Sequence, residues 1–212
     1  MRHALTLSLA AATLLAALQA QAAEQTRDVP PFSTIANSGT MNLTIEVGKP
    51  QSVVASGSDE FVADVQTEVV DGELRIHVRR DPINSGVHWD DRKLTIAVPR
   101  LSAVSMSGAG AMTITHMSGD NLAVRFAGAG SFKADGTVRR LTLDVGGVGS
   151  IDTRELHADS ASVNVGGVGS VRVWASQRLD ASVGGVGSLT YYGDPKTVNT
   201  SGGGLGSISK AR

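Results

Sequence analysis

Apolar and polar residues alternate along several stretches of the chain. Met41, Leu43, Ile45 and Val47 take every second position, as do Leu74, Ile76 and Val78 after an Asp71-Gly72 pair, and Leu94, Ile96 and Val98 run into Pro99. An extended strand sends successive side chains to opposite faces, so each stretch predicts a β-strand with one buried face. The Asp-Gly pair predicts a tight turn between two of them. The segment from Asp81 to Asp91 lacks this alternation and predicts a loop.

Beyond Arg100 the pattern becomes a repeat. One unit occurs six times: Gly108-Ala109-Gly110, Gly128-Ala129-Gly130, Gly147-Val148-Gly149, Gly167-Val168-Gly169, Gly185-Val186-Gly187 and Gly204-Leu205-Gly206, at spacings of 20, 19, 20, 18 and 19 residues. Aligned on the first Gly, large apolar residues stand two positions upstream (Met106, Phe126, Val145, Val165, Val183) and four downstream (Met112, Phe132, Ile151, Val171, Leu189, Ile208). Polar residues such as Arg125, Asp144 and Asn164 lie between the apolar positions, which is again the alternation of a half-buried strand. A unit of this length cannot bury its own apolar face, so it must stack on copies of itself. The prediction is an all-β fold, a parallel β-solenoid of 19–20-residue coils, with equivalent side chains about 4.8 Å apart along its axis. Glycines mark its corners, where a Cβ would obstruct close backbone approach. Residues 23–100 predict an N-terminal β region that caps the stack and covers its strand edge, and residues 101–212 predict the solenoid, the two together forming one structural domain.

Residues 1–22 predict a signal peptide. Arg2 and His3 precede an apolar run from Ala4 to Leu18, followed by Ala20-Gln21-Ala22, the small-x-small pattern of a cleavage site after Ala22. The run is shorter than the roughly 20 residues of a membrane-spanning helix. The expected destination is the periplasm or the cell surface, without stable membrane insertion.

Composition narrows the function further. Lys and Arg number 19 against 20 Asp and Glu, so the chain lacks the excess of basic charge on which nucleic-acid binding depends. With no cysteine, disulfides, thiol catalysis and Cys-ligated zinc are excluded.

The order of these pieces resembles the head GIN domain family of putative auto-transporter adhesins, found in exported bacterial proteins. The resemblance runs from about Phe32 to Ile208. It opens with Phe32-Ser33-Thr34-Ile35 before Ser38-Gly39, continues through Val69-Val70-Asp71-Gly72-Glu73-Leu74 and Leu94-Thr95-Ile96-Ala97-Val98-Pro99, and reaches Leu101 to Gly110 before the Gly-x-Gly coils. It implies a right-handed β-solenoid and a role in surface adhesion, and it implies no catalytic or binding residues.

Several motifs suggest chemistry and fall short of it. Gly146-Gly147-Val148-Gly149-Ser150-Ile151 approaches the calcium-binding Gly-Gly-x-Gly-x-Asp repeat, but the position of the Asp ligand holds Ile151, Val171, Leu189 or Ile208. No Gly-x-Gly-x-x-Gly opens a helix, and Ser207-Ile208-Ser209-Lys210 lacks the partner motifs of a Ser-x-x-Lys enzyme. His88, Asp90 and Asp91 beside Trp89 form an incomplete metal set, and His77, His116 and His157 occupy unrelated repeat positions. No repeat column is consistently acidic, as a carboxylate-based glycosidase would require. The expectation is no enzyme, no metal and no cofactor.

The residues between the paired glycines, Ala109, Ala129, Val148, Val168, Val186 and Leu205, have two readings. Turned inward at the corner they fill the core, the usual role of apolar residues and the one expected here. If the strand runs straight through both glycines they face outward beside Ser131, Ser150, Ser170, Ser188 and Ser207, and form a stripe suited to association. On the second reading Val148, Val168, Val186, Leu205, Ser150, Ser170 and Ser188 are the candidate binding residues. The expected function is that of an exported, non-enzymatic adhesin-like, envelope-binding or structural protein that presents a repetitive surface. Its expected partner is a glycan, an envelope or surface protein, or a second copy of itself. The alternatives are a glycan-active enzyme on the same scaffold and a self-assembling envelope protein.

Overall fold

The computed structural model describes residues 23–79 and 92–211. Residues 1–22, expected to be a signal peptide, and residues 80–91, which include His88, Trp89, Asp90 and Asp91, lie outside the described residues.

The alternating stretches are strands: β1 (Ala23–Thr26), β2 (Thr34–Asn37), β3 (Asn42–Val47), β4 (Ser52–Gly57), β5 (Val65–Val70), β6 (Glu73–Val78), β7 (Lys93–Val98) and β8 (Ala103–Met106). In the glycine repeat, strands wrap the corners and become long: β9 (Ala109–Phe126), β10 (Ala129–Val145), β11 (Val148–Val165) and β12 (Val168–Val183), followed by β13 (Val186–Tyr192), β14 (Thr197–Gly202) and β15 (Ser207–Lys210). They wind into a parallel β-solenoid of about five turns.

The register puts like on like. Phe132 lies beside Ile151, Ile151 beside Val171, Val171 beside Leu189 and Leu189 beside Ile208. On the other wall Phe126, Val145, Val165 and Val183 form a second ladder. All but Ile208, on the final coil, are buried. Each such side chain contributes about 1.5–3 kcal/mol of burial that an isolated coil could not obtain. The corners keep the same ladder, with Gly167 N–H bonded to the Val145 carbonyl (3.0 Å) and Val168 N–H to that of Gly147 (3.0 Å).

The stack continues into the N-terminal region, in an order that differs from the chain's. β2 pairs with β8 and β3 with β9, both parallel, so residues 34–47 form a coil without a Gly-x-Gly unit. Beyond it lie β6 on β2 and β7 on β3, although both follow later in the chain. Strand direction then reverses, with β4 antiparallel to β7, β1 to β4 and β5 to β6.

One element departs from the all-strand expectation for this segment. Asp59–Asp64 forms a short helix, α1, because Ser58 accepts the Phe61 N–H at 3.2 Å as an N-cap and two acidic residues occupy the first turn. Phe61 and Val62 are buried with the core, and the Arg27 guanidinium donates to the Val62 and Val65 carbonyls near the helix C-terminus.

Candidate functional site

The corners decide which residues reach solvent. A Cβ on Gly147 would lie 2.1 Å from the carbonyl oxygen of Gly128, and one on Gly149 would lie 1.9 Å from that of Gly130. Both missing side chains would therefore enter the backbone of the preceding coil. From buried Ile151 the strand alternates back through Ser150, Gly149 and Val148, so the inward position at the corner falls on a glycine and Val148 faces out. Val148, Val168 and Val186 are 57%, 48% and 49% exposed. The core-filling expectation for this column is overturned. The strand runs straight through the glycines, and neighbouring backbone occupies the space an inward side chain would need.

Val148, Val168 and Val186 lie in register on consecutive coils. Two residues further on, Ser150, Ser170 and Ser188 form a parallel column, with the Ser150 and Ser170 hydroxyls 3.3 Å apart. Ser131 continues it one coil earlier and Ser207 one coil later. Leu205, 82% exposed, sits in the turn before β15 and does not share the strand register.

The same parity carries this face further. Along β12 the outward residues are Val168, Ser170, Arg172 and Trp174. Arg172 lies beside Asp152 and Thr190, and Trp174 beside His157 and Tyr192. The charged column follows the repeat spacing, five residues after the first glycine, whereas His157 joins the aromatic one only in the structure. Thr153 pairs with Val173 and His157 with Trp174, so Arg154, Glu155 and Leu156 form a bulge with no partner on β12. The bulge shifts His157 out of the repeat alignment. Such insertions re-aim side chains, and this one points Arg154 across the face. Its guanidinium grips Asp152 through Nη2 at 2.8 Å and Nε at 2.9 Å, and lies 5.8 Å from the centre of the Tyr192 ring. The His157 and Trp174 rings stack 4.3 Å apart.

On the other side of the valines runs a column with almost no side chains. Gly146, Gly166 and Gly184 have nothing within 4 Å of a built Cβ, so packing does not require glycine there. At Gly146 and Gly166 the absent side chains leave a shallow cleft of about 290 Å³, also lined by Arg125, Asp144 and Asn164. The valines thus stand as a ridge, bordered by bare backbone and by serines.

Residues 31–195 match the family described as putative auto-transporter adhesin, head GIN domain. The chain belongs to this family. Among solved structures, this head GIN domain is similar to a putative adhesin from Bacteroides fragilis at 25% identity and a TM-score of 0.70, over 91% of this chain and 98% of that one. It also aligns with a putative lipid binding protein from Parabacteroides distasonis (21% identity, TM-score 0.49, 91% and 98% covered). A putative adhesin from Parabacteroides merdae aligns at 14% identity and a TM-score of 0.45, over 91% and 97%. No curated protein matches the chain.

In this head GIN domain the outward carboxylates of Asp152 and Asp180 are paired with arginines. The Arg154 hydrogen bond holds the Asp152 carboxyl below its ordinary range, and Arg178, with Asn199, does the same for Asp180. Such carboxylates stay ionised, which suits charge pairing and hydrogen bonding. A general acid needs the opposite shift. Among the described residues, no three His, Asp or Glu side chains converge as a metal site, and no helix is long and apolar enough to cross a membrane.

Proposed function

We propose that this head GIN domain is an exported, non-enzymatic adhesin-like protein that binds a partner of the cell envelope or surface through its outward Val and Ser columns. The observation that carries the reading is the register of Val148, Val168 and Val186, each about half exposed on the sheet. A soluble protein does not repeat an exposed branched apolar residue on successive coils for its own stability, whereas an association site gains from such a ridge. Gly146, Gly166 and Gly184 on one side keep the ridge accessible. Family membership supports adhesion, and the small-x-small motif ending at Ala22 supports export.

The test has two parts. The chain expressed with its first 22 residues should be recovered from the envelope or medium with an intact mass beginning at Ala23. Purified protein should bind isolated cell envelopes, and Val168→Asp with Val186→Asp should abolish that binding while far-UV circular dichroism is unchanged. Recovery of uncleaved protein only, or envelope binding indifferent to both substitutions, would defeat the reading. Sedimentation of the same variants tests self-association, in which a second copy takes the place of the envelope partner.

A further inference from the structure

Every Trp and Tyr among the described residues lies on two adjacent rungs, at Trp174, Tyr191 and Tyr192. Tyr191 packs partly against the core, whereas Trp174 and Tyr192 lie on the outward face and are only half buried. His157 extends the aromatic column by one rung, stacked on Trp174. Charged side chains surround this column. Arg154 reaches Tyr192 from the bulge, Arg172 stands two residues before Trp174 on the same strand, and Lys133 and Arg172 flank Asp152 in register.

These groups combine two kinds of contact. His157 covers one face of Trp174 and Arg154 stands over Tyr192, and the ring surface left exposed attracts the polarised C–H groups of a flat, amphipathic ring. Guanidinium and carboxylate groups at the edge exchange hydrogen bonds with hydroxyls. A pyranose has this duality, with an axial C–H face and a hydroxyl rim. Charge refines the choice. Lys133, Arg154 and Arg172 stand against Asp152, Glu155 and Asp159, so the charges balance and the choice falls to the cation whose donors are least engaged. Arg154 is engaged with Asp152 through two nitrogens. Arg172 is not, since its nearest approach to Asp152 is 4.0 Å, beyond hydrogen-bond distance, and its side chain is 40% exposed. Held only by this long ion pair and by no hydrogen bond to Asp152, its planar fork can take a carboxylate in bidentate fashion.

We infer that the outward columns carrying His157, Trp174 and Tyr192, together with Arg154, Asp152 and Arg172, form a binding site for an acidic saccharide, with the sugar ring on the aromatic rungs and its carboxylate on Arg172. The inference deepens the surface-binding reading above by naming a ligand class, but it draws on different residues from the valine ridge. The two can therefore fail separately. Envelope binding lost in the valine variants with saccharide binding intact would sustain both, and saccharide binding without any envelope binding would sustain this site alone.

The probes are a galacturonic acid tetramer and a neutral galactose tetramer, titrated into the full chain carrying Trp89→Phe, so that Trp174 is the sole indole. The acidic tetramer should change the indole emission and bind at least about tenfold more tightly than the neutral one, the difference of one good charged contact. Arg172→Gln should bring the two affinities together. Tyr192→Ser should weaken both by about tenfold with an unchanged melting temperature. Trp174→Ala, followed by calorimetry, should abolish binding. If it unfolds the protein, the partly exposed Arg172 and Tyr192 variants decide the matter. No emission change at millimolar tetramer, equal affinity for the two tetramers, or binding insensitive to both Arg172→Gln and Tyr192→Ser would overturn the site.

Discussion

The carbonyl oxygen of Gly128 lies where the side chain of Gly147 would begin, 2.1 Å from a built Cβ, while the adjacent Gly146 faces open space. Two neighbouring glycines of one motif thus serve different ends. Gly147 permits the coils to approach, and Gly146 only keeps the surface low.

This difference can be measured. Gly147→Ala should force the coil off its neighbour and lower stability by about 3 kcal/mol or more, read as a large drop in the denaturant midpoint, or should prevent accumulation of folded protein. Gly146→Ala should stay within about 0.5 kcal/mol of the parent or stabilise it slightly through the unfolded chain. Equal losses at the two positions would show that coil spacing does not depend on the Gly147 contact.

A second contrast lies along β12. Val168 is 48% exposed and Val171 is 1% exposed. Val168→Asp should therefore leave the melting temperature nearly unchanged, because its carboxylate remains in water. Val171→Asp would bury an unpaired charge between Ile151 and Leu189, at a cost comparable with the stability of the whole domain. A Val168→Asp protein that unfolds would return that column to the core.

The Asp152 and Arg154 pair predicts a pH dependence of definite sign. The hydrogen bond from Arg154, with smaller help from its charge and that of Arg172, lowers the Asp152 carboxyl in the folded state. A lowered folded value contributes stability that is present above the unfolded carboxylate range, about pH 4, and is lost as pH falls through the lower folded value. Arg154 is solvent-exposed, so the contribution is small. Urea midpoints for Asp152→Asn should lie below the parent's at pH 7 and converge with them near pH 2. A constant difference across that range would mean that the carboxylate charge contributes nothing.

Much of this architecture is legible in the sequence, because a solenoid is nearly one-dimensional. Phe126, Val145 and Val165 recur at one phase of the repeat, and only stacking can bury them, so the coil, its period and its core columns follow from periodicity alone. The coil at residues 34–47 is less legible. It has Met41 in place of the second glycine, and β6 and β7 stack beyond it against the chain order. The candidate site divides in the same way. The valine and serine columns stand out in an alignment of the repeats, but their direction does not. Whether Val168 faces in or out depends on where the backbone turns, and that is decided by contacts such as Gly167 against the Gly147 carbonyl, which exist only between coils. The aromatic column is only partly legible: Trp174 and Tyr192 each stand seven residues after the first glycine of their coil, but the bulge at Arg154 to Leu156 shifts His157 against Trp174. Sequence spacing alone determined what repeats along the axis. Only the tertiary structure, through coil contacts and register shifts, determined which side chains share a surface.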